Sequence, residues 1–291
     1  MPMSNKRKDE RTGAWLVAPA MMWLALFALA PLVFLVTVSF WTATMFGLSP
    51  GFSLQSYAAL AGDTIYILVL ANTLKIAVFT TALSLFASYP VALFLASLKG
   101  HRKTLFVILL FLPFWTSYVV RTFVWMPILG RSGLINSTLM SLGVIDSPID
   151  GLIFNEGAVY VGLVYVYTLY MTLPIYLALD KLDPALIEAS SDLGASAWQT
   201  FRRIILPLTL PAVWSGCTMV FLLCCGAFVT PRLLGGPSSQ MFGNIISSQF
   251  LDAGNWPLGA ALSVVLMLVV LASLYLASRR FGMQRLFMGQ H

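Results

Sequence analysis

The hydrophobic pattern of this 291-residue chain is dominated by six long apolar runs that shorter polar segments separate. Each run is continuous rather than alternating, and each is long enough for a helix to cross about 30 Å of hydrocarbon. A membrane barrel would instead show alternating segments of about 10 residues. The runs cover residues 14–40, 69–98, 104–129, 157–179, 208–231 and 257–278. The pattern therefore predicts an all-α membrane protein with six transmembrane helices.

Composition agrees with a membrane location. Apolar residues make up 59% of the chain and charged residues 10%, whereas soluble domains carry about 25% charged residues. We expect a transmembrane domain over residues 14–280, with short tails at 1–13 and 281–291. The first run continues well past a cleavage-like Ala28-Leu29-Ala30, so we expect an uncleaved first helix.

Basic residues predict how the chain is oriented. Thirteen of the seventeen lie in the two tails and in the second-to-third and fourth-to-fifth connections. They are Lys6, Arg7, Lys8, Arg11, Lys99, Arg102, Lys103, Lys181, Arg202, Arg203, Arg279, Arg280 and Arg285. Because cytoplasmic loops are enriched in Lys and Arg, both termini are expected in the cytoplasm. The net charge of +6 is thus a topology signal with some attraction for anionic lipid, and we expect no nucleic-acid partner.

Catalytic and metal-binding patterns are not found in the sequence. Cys217, Cys224 and Cys225 all fall in the fifth run and are interpreted as small buried residues. His101 and His291 lie far apart in the chain. No Gly-rich phosphate loop ending in Gly-Lys-Ser or Gly-Lys-Thr occurs, so any energy from ATP must enter through another polypeptide. We expect a non-enzymatic membrane subunit with no cofactor or metal of its own.

A polar segment at 183–207 interrupts the apolar pattern. Asp183 is a suitable N-cap for a helix whose first turn holds Pro184 and whose interior holds Glu188. Gly194 tolerates the left-handed conformation that ends a helix, and a second helix is predicted from Ser196 to Pro207. An ordinary amphipathic interfacial helix is the alternative interpretation.

The spacing within this segment resembles the EAA loop of ABC-importer permeases, in which a short cytoplasmic helix docks on an ATPase subunit. The matching residues are Glu188, Ala189, Ser190, Gly194, Ile204, Leu206 and Pro207. Ser190 replaces the second Ala of the pattern, a change between small residues that should keep the helix docked.

A second resemblance covers nearly the whole chain. The run from Leu112 to Thr122, followed by Trp125 and Gly133-Leu134-Ile135-Asn136, is similar to the first of the two permeases in spermidine/putrescine-type importers. This resemblance implies a type I permease fold with a cytoplasmic coupling helix in a bacterial inner membrane. It also implies a second permease forming a heterodimer, two ATPase subunits that use ATP-Mg, and an extracytoplasmic solute-binding protein. Segments 41–68, 130–156 and 232–256 are expected to contact that binding protein.

The predicted substrate pathway relies on aromatic and polar groups, because the runs hold no acidic residue at mid-depth. Trp115, Tyr118 and Thr122 recur at spacings of three and four and are predicted to share one face of the third span, with Trp125 nearby. Secondary transporters and channels are expected to need a coupling-ion carboxylate or a selectivity filter there, which makes them the less favoured class.

Arg121 fits a polyamine pathway poorly, because a buried guanidinium repels a cation. It could pair with a carboxylate of the second permease or with carbonyls freed by Pro113 and Pro127, or extend to the outer face. Alternatively, the substrate carries a carboxylate, as an opine or an amino-acid derivative does. The polyamine and these other small solutes both stay open at this point.

Overall fold

The computed structural model describes residues 3–44 and 47–280, and the chain is mostly helical over them. The helices are α1 (Met3–Val38), α2 (Gln55–Gly62), α3 (Thr64–Ser97), α4 (Gly100–Phe111), α5 (Tyr118–Phe123), α6 (Trp125–Leu129), α7 (Leu134–Ser141), α8 (Glu156–Asp180), α9 (Pro184–Asp192), α10 (Ala197–Thr200), α11 (Leu206–Cys225), α12 (Val229–Leu234), α13 (Phe242–Leu251) and α14 (Trp256–Arg280). Short 3₁₀ turns occupy Leu112–Trp115, Asp150–Leu152 and Pro237–Ser239, and a π-helical segment covers Phe201–Ile205. Strands β1 (Thr42–Thr44) and β2 (Gly47–Ser49) pair antiparallel, with Ala43 opposite Leu48.

Five of these helical stretches are long and apolar enough to cross a membrane. They are Val17–Val38, Thr64–Ser97, Glu156–Asp180, Ala197–Cys225 and Trp256–Arg279. A sixth span forms if the bent pair Gly100–Trp115 and Tyr118–Ser141 is counted as one. The expected six-span helical architecture is confirmed. Helix α1 begins at Met3 and so includes most of the tail expected at 1–13, while the tail expected at 281–291 lies outside the described residues.

The third span is not the single helix expected over 104–129. Its two halves meet at 94°, with the break at Thr116 and Ser117, where Thr116 is extended and Ser117 is also non-helical. Pro113 contributes to the break because it has no N–H to donate within the helix. The hydroxyl of Thr116 donates to the Pro113 carbonyl at 2.6 Å, so a side chain takes up an acceptor near the break.

The fifth span also differs from the expected 208–231. A continuous helical path starts at Ala197, passes through the π-helical segment and ends at Cys225. Gly226 follows, and the chain resumes as the short helix α12. The expected start of this span was too late, because hydropathy detects only the apolar residues. The helix already begins in the more polar residues that precede them.

One compact unit, formed by the described residues 64–247 and 268–280, contains the packed spans α3, α8 and α11. Small residues let α8 approach its neighbours closely: a β-carbon on Gly216 of α11 would lie 2.8 Å from the sulfur of Met171 on α8, and one on Gly162 of α8 would lie 2.7 Å from Leu234 on α12. Ile76, Leu163 and Met171 are fully buried in this core; further residues that are fully buried there are Val159, Ile175 and Val220.

Ion pairs join α8 to a neighbouring helix at each of its ends. Lys75 of α3 pairs with Glu156 at 2.9 Å, and Lys103 of α4 pairs with Asp180. The ring of Tyr176 lies beneath the Lys103 ammonium, 5.8 Å from it.

The other compact unit, formed by the described residues within 3–44, 47–63 and 248–267, contains the hairpin β1–β2 and helix α2. Ser39 at the end of α1 hydrogen-bonds Tyr57 of α2 at 2.7 Å, and the ring of Phe40 stacks on that of Phe52. These contacts hold α2 against the end of α1.

Candidate coupling loop and translocation residues

Helix α9 begins as the sequence predicts. The Asp183 carboxylate accepts a hydrogen bond from the amide of Ala185 at 2.9 Å, and Pro184 occupies the first turn. This cap satisfies one of the free N–H groups at the helix start. Glu188 and Ala189 lie on the exposed side of α9, where a partner can reach them.

Gly194 makes the turn between α9 and α10. Its φ of +77° is in the left-handed region, and the amide of Ala195 donates back to the Ser190 carbonyl at 3.0 Å. A β-carbon at this position would meet nothing within 4 Å, so the requirement for glycine is conformational rather than steric. Ser196 and Gln199 then form a reciprocal capping box that starts α10.

A buried pair of hydroxyl groups joins the two short helices. Ser190 and Thr200 are both buried, and their hydroxyl oxygens lie 2.9 Å apart. Ser190 also contacts the Ile187 carbonyl at 2.8 Å within α9. This link was not expected from the sequence, where Ser190 counted only as a small residue; the available signal was a Ser and a Thr ten residues apart across a glycine turn.

The second helix of the loop does not stop at Pro207 as expected. Ile204, Leu206 and Pro207 lie on the helical path that leads directly into α11. Tyr89 of α3 holds this path from the side: its hydroxyl bonds Thr209 at 2.7 Å, and its ring meets Phe201 edge-on at 5.5 Å. The helical path that leaves the loop is therefore in contact with α3 and continuous with α11.

Apolar side chains on the loop are exposed. Leu193 is 88% exposed beside the glycine turn, Leu186 is exposed on α9, and the exposed Trp198 stacks on Phe201. With Glu188 among them, these residues form a mixed apolar and acidic surface, which we call the loop surface. Several exposed apolar side chains within one short segment are consistent with a docking site.

The candidate pathway residues do not share one face, which corrects the expectation for the third span. Trp115 lies just before the break and is 84% exposed, whereas Thr122 lies after it in α5 and is buried. Tyr118 hydrogen-bonds Thr230 of α12 at 2.7 Å, and Thr122 lies 3.5 Å from the same hydroxyl. Spacings of three and four imply a common face only along an unbroken helix, and the break at Thr116 separates Trp115 from the other two.

Arg121 is buried, and its guanidinium lies over the ring of Phe114 at 4.4 Å. Phe114 in turn meets Tyr170 edge-on at 5.5 Å. Over residues 3–44 and 47–280, no carboxylate lies within ion-pair distance of Arg121, and its Nε has no hydrogen-bond partner there. The ring face thus provides its main electrostatic contact among the described residues.

Trp125 lies edge-on to Tyr165 of α8 at 5.6 Å. The third and fourth spans are thus joined by two aromatic pairs, Phe114 with Tyr170 and Trp125 with Tyr165. No group of three metal-binding side chains occurs in the part of the chain that the structure describes.

Comparison with known proteins gives a consistent result. The family model for the inner membrane component of binding-protein-dependent transport systems matches residues 76–286. The spermidine/putrescine transport system permease protein PotB of Salmonella typhimurium (strain SL1344) is 41% identical over 249 residues, covering 85% of this chain and 86% of the relative. PotB of Escherichia coli (strain K12) is 40% identical over 249 residues, covering 85% and 90%. Among solved structures, a chain of the bacterial alginate ABC transporter, in complex with its alginate pentasaccharide-bound periplasmic protein, superposes with a TM-score of 0.69 and 17% identity over 97% of this chain and 98% of that one.

Proposed function

Since the chain belongs to the family of inner membrane components of binding-protein-dependent transport systems, we propose that it forms half of the translocation pathway of an importer for polyamines such as spermidine and putrescine. It is a non-catalytic permease subunit of an ABC transporter with the expected type I permease fold. The substrate proposal rests on one observation. Over 85% of its length, the chain is 40–41% identical to permeases that are named for spermidine and putrescine.

The proposed partners are a second, non-identical permease, two ATPase subunits that bind ATP-Mg, and an extracytoplasmic solute-binding protein. The loop surface supports an ATPase contact, because Glu188 and Ala189 are exposed and exposed apolar residues flank them in the sequence. We assign coupling to Glu188, Ala189, Ser190, Gly194, Ile204, Leu206 and Pro207. Motion of the docked loop would reach the membrane through the continuous path into α11.

Within the membrane, Trp115 is the proposed substrate contact of the third span, since its exposed ring offers a π-face to a passing ammonium group. Tyr118 and Thr122 act by holding the bent span to α12 through Thr230. Trp125 supports the aromatic pairing of the third and fourth spans from α6. Both termini are proposed to face the cytoplasm, because the tails share with two connections most of the Lys and Arg residues, and cytoplasmic segments are enriched in these residues.

A second candidate substrate is a solute with a carboxylate, such as an opine or an amino-acid derivative. The observation that favours it is Arg121, a buried cation for which no described carboxylate is a partner. Such a residue is a natural contact for an anionic group. In the polyamine importer, Arg121 instead has a structural role on the Phe114 ring.

Thermal stabilisation of the cognate binding protein distinguishes the two candidates, because that protein selects the solute. Putrescine, spermidine, opines and amino acids are each added to the purified protein, and the shift of its unfolding temperature is measured. Polyamines alone are expected to raise it, since a ligand that binds only the folded state stabilises it. A shift with a carboxylated solute and none with polyamines would replace the polyamine proposal with the second candidate.

A further inference from the structure

Four side chains of α3 and α8 meet at the outer end of these spans. The Glu156 carboxylate accepts hydrogen bonds from the Lys75 ammonium at 2.9 Å and from the Tyr160 hydroxyl at 2.7 Å, one at each of its oxygens. The ring of Phe79 meets that of Tyr160 edge-on at 6.3 Å. Lys75 and Phe79 are one turn apart on α3, as Glu156 and Tyr160 are on α8, so each helix contributes one charged and one aromatic residue.

This group has the composition of an ammonium-binding site, with a carboxylate, a phenol and an aromatic wall. Glu156 and Asp180 are the carboxylates that the described candidate spans contain. The ammonium now at Glu156 is a primary amine on a four-carbon stem, the same chemical group that ends a putrescine molecule. Lys75 is 46% exposed and Glu156 30%, and ion pairs with this exposure are weak enough to exchange partners.

An extracytoplasmic segment lies beside the group. The side-chain amide of Asn72, one turn outward from Lys75, donates to the carbonyls of Ser238 and Gln240 at 3.3 and 3.0 Å. The backbone of Gly236 approaches the Phe154 carbonyl so closely that a β-carbon there would lie 2.2 Å from its oxygen. This segment belongs to 232–256, which is expected to contact the binding protein, so the group lies where a released substrate would enter.

We propose that Glu156, Tyr160 and Phe79 form the first ammonium subsite of the pathway, and that Lys75 fills this subsite until the substrate arrives. One primary ammonium of the polyamine then takes the place of the Lys75 ammonium on Glu156, and the partly exposed lysine side chain swings away. The Glu156 carboxylate is therefore paired with an ammonium group both before and after the exchange. The subsite proposal rests on the proposed polyamine function and names residues that would bind the polyamine.

The ion pair at the inner end of α8 provides an internal comparison. Lys103, Asp180 and Tyr176 repeat the same residue types there. However, Tyr160 and Tyr176 are sixteen positions apart, so they point about 160° away from each other around the helix. The inner pair therefore faces α4 on another side of α8, and we treat it as a structural tie.

The test is uptake by the complete importer in proteoliposomes, with spermidine-loaded binding protein at increasing concentration. Replacing Glu156→Gln removes the subsite charge and should raise KM about tenfold, the usual scale for a charge-assisted hydrogen bond. Replacing Lys75→Met removes the competing ammonium and should lower KM. For a purely structural ion pair, both replacements shift KM in the same direction, as we expect for Asp180→Asn and Lys103→Met.

A KM that rises in both outer variants, or that changes in neither, would overturn the subsite while leaving polyamine import intact. If the Glu156→Gln importer does not assemble, the KM of the Lys75→Met importer alone tests the proposal, because only the subsite predicts that this KM falls. A wild-type importer that takes up no spermidine would instead overturn the proposed function, and the subsite with it.

Discussion

At the scale of single residues, the hydroxyl pair of Ser190 and Thr200 determines how firmly the loop surface is held. Replacing Ser190→Ala leaves the buried Thr200 hydroxyl without its side-chain partner, which costs about 1–3 kcal/mol. We expect faster amide hydrogen exchange over residues 184–205 in the purified importer. The matched control is Ser191→Ala, because Ser191 is exposed and bonds only within its own helix. Equal exchange in both variants would contradict a clamping role for Ser190.

The structural roles of residues were predictable where they depend on neighbours in the sequence. They were not predictable where they depend on the bend in the third span. The Asp183 cap and the left-handed Gly194 follow from chemistry within a few positions. Arg121 and Phe114 are seven positions apart, which in a straight helix is about 10.5 Å along the axis. They nevertheless meet at 4.4 Å because the span bends between them. Nothing in the residue pattern gave the angle of that bend.

At the scale of elements, the glycine turn between α9 and α10 should be sensitive to any β-carbon. Replacing Gly194→Ala places an L side chain at a φ of +77°, which costs about 1–2 kcal/mol although the space is open. The two helices should then lose their relative orientation. We expect fewer spermidine molecules imported per ATP hydrolysed by the complete importer.

The control for this turn is Gly194→Asn, since asparagine tolerates the left-handed conformation better than alanine. It should retain most of the coupling ratio despite its larger side chain. The opposite order, with Asn worse than Ala, would mean that side-chain size rather than backbone conformation matters, as it would if a docked ATPase fills the open space around Gly194.

Element boundaries show what hydropathy leaves out. The existence of all six spans was predictable, because length and composition determine which segments suit a membrane. The 94° break in the third span depends on where backbone hydrogen bonds are lost, and the start of the fifth depends on a π-helical segment that joins α10 to α11. Neither feature changes the count of apolar residues, so neither was visible in the pattern.

At the scale of the whole molecule, many apolar side chains of the spans are exposed in the isolated chain. Examples are Phe86, Val78 and Leu83 on α3 and Leu268 on α14. A membrane subunit presents such residues to lipid and to a second permease, so their exposure agrees with the proposed heterodimer.

The proposed orientation of the molecule can be tested across the third span. A single cysteine is placed at His101→Cys or at Ser141→Cys, two exposed positions that flank that span. If basic connections are cytoplasmic, a membrane-impermeant maleimide should label Ser141→Cys in intact cells, and His101→Cys only after permeabilisation. The unsubstituted chain is the blank, because Cys217, Cys224 and Cys225 all lie within α11. The reverse labelling would place the loop surface outside the cell, where no ATPase could dock, and would overturn the coupling assignment together with the orientation.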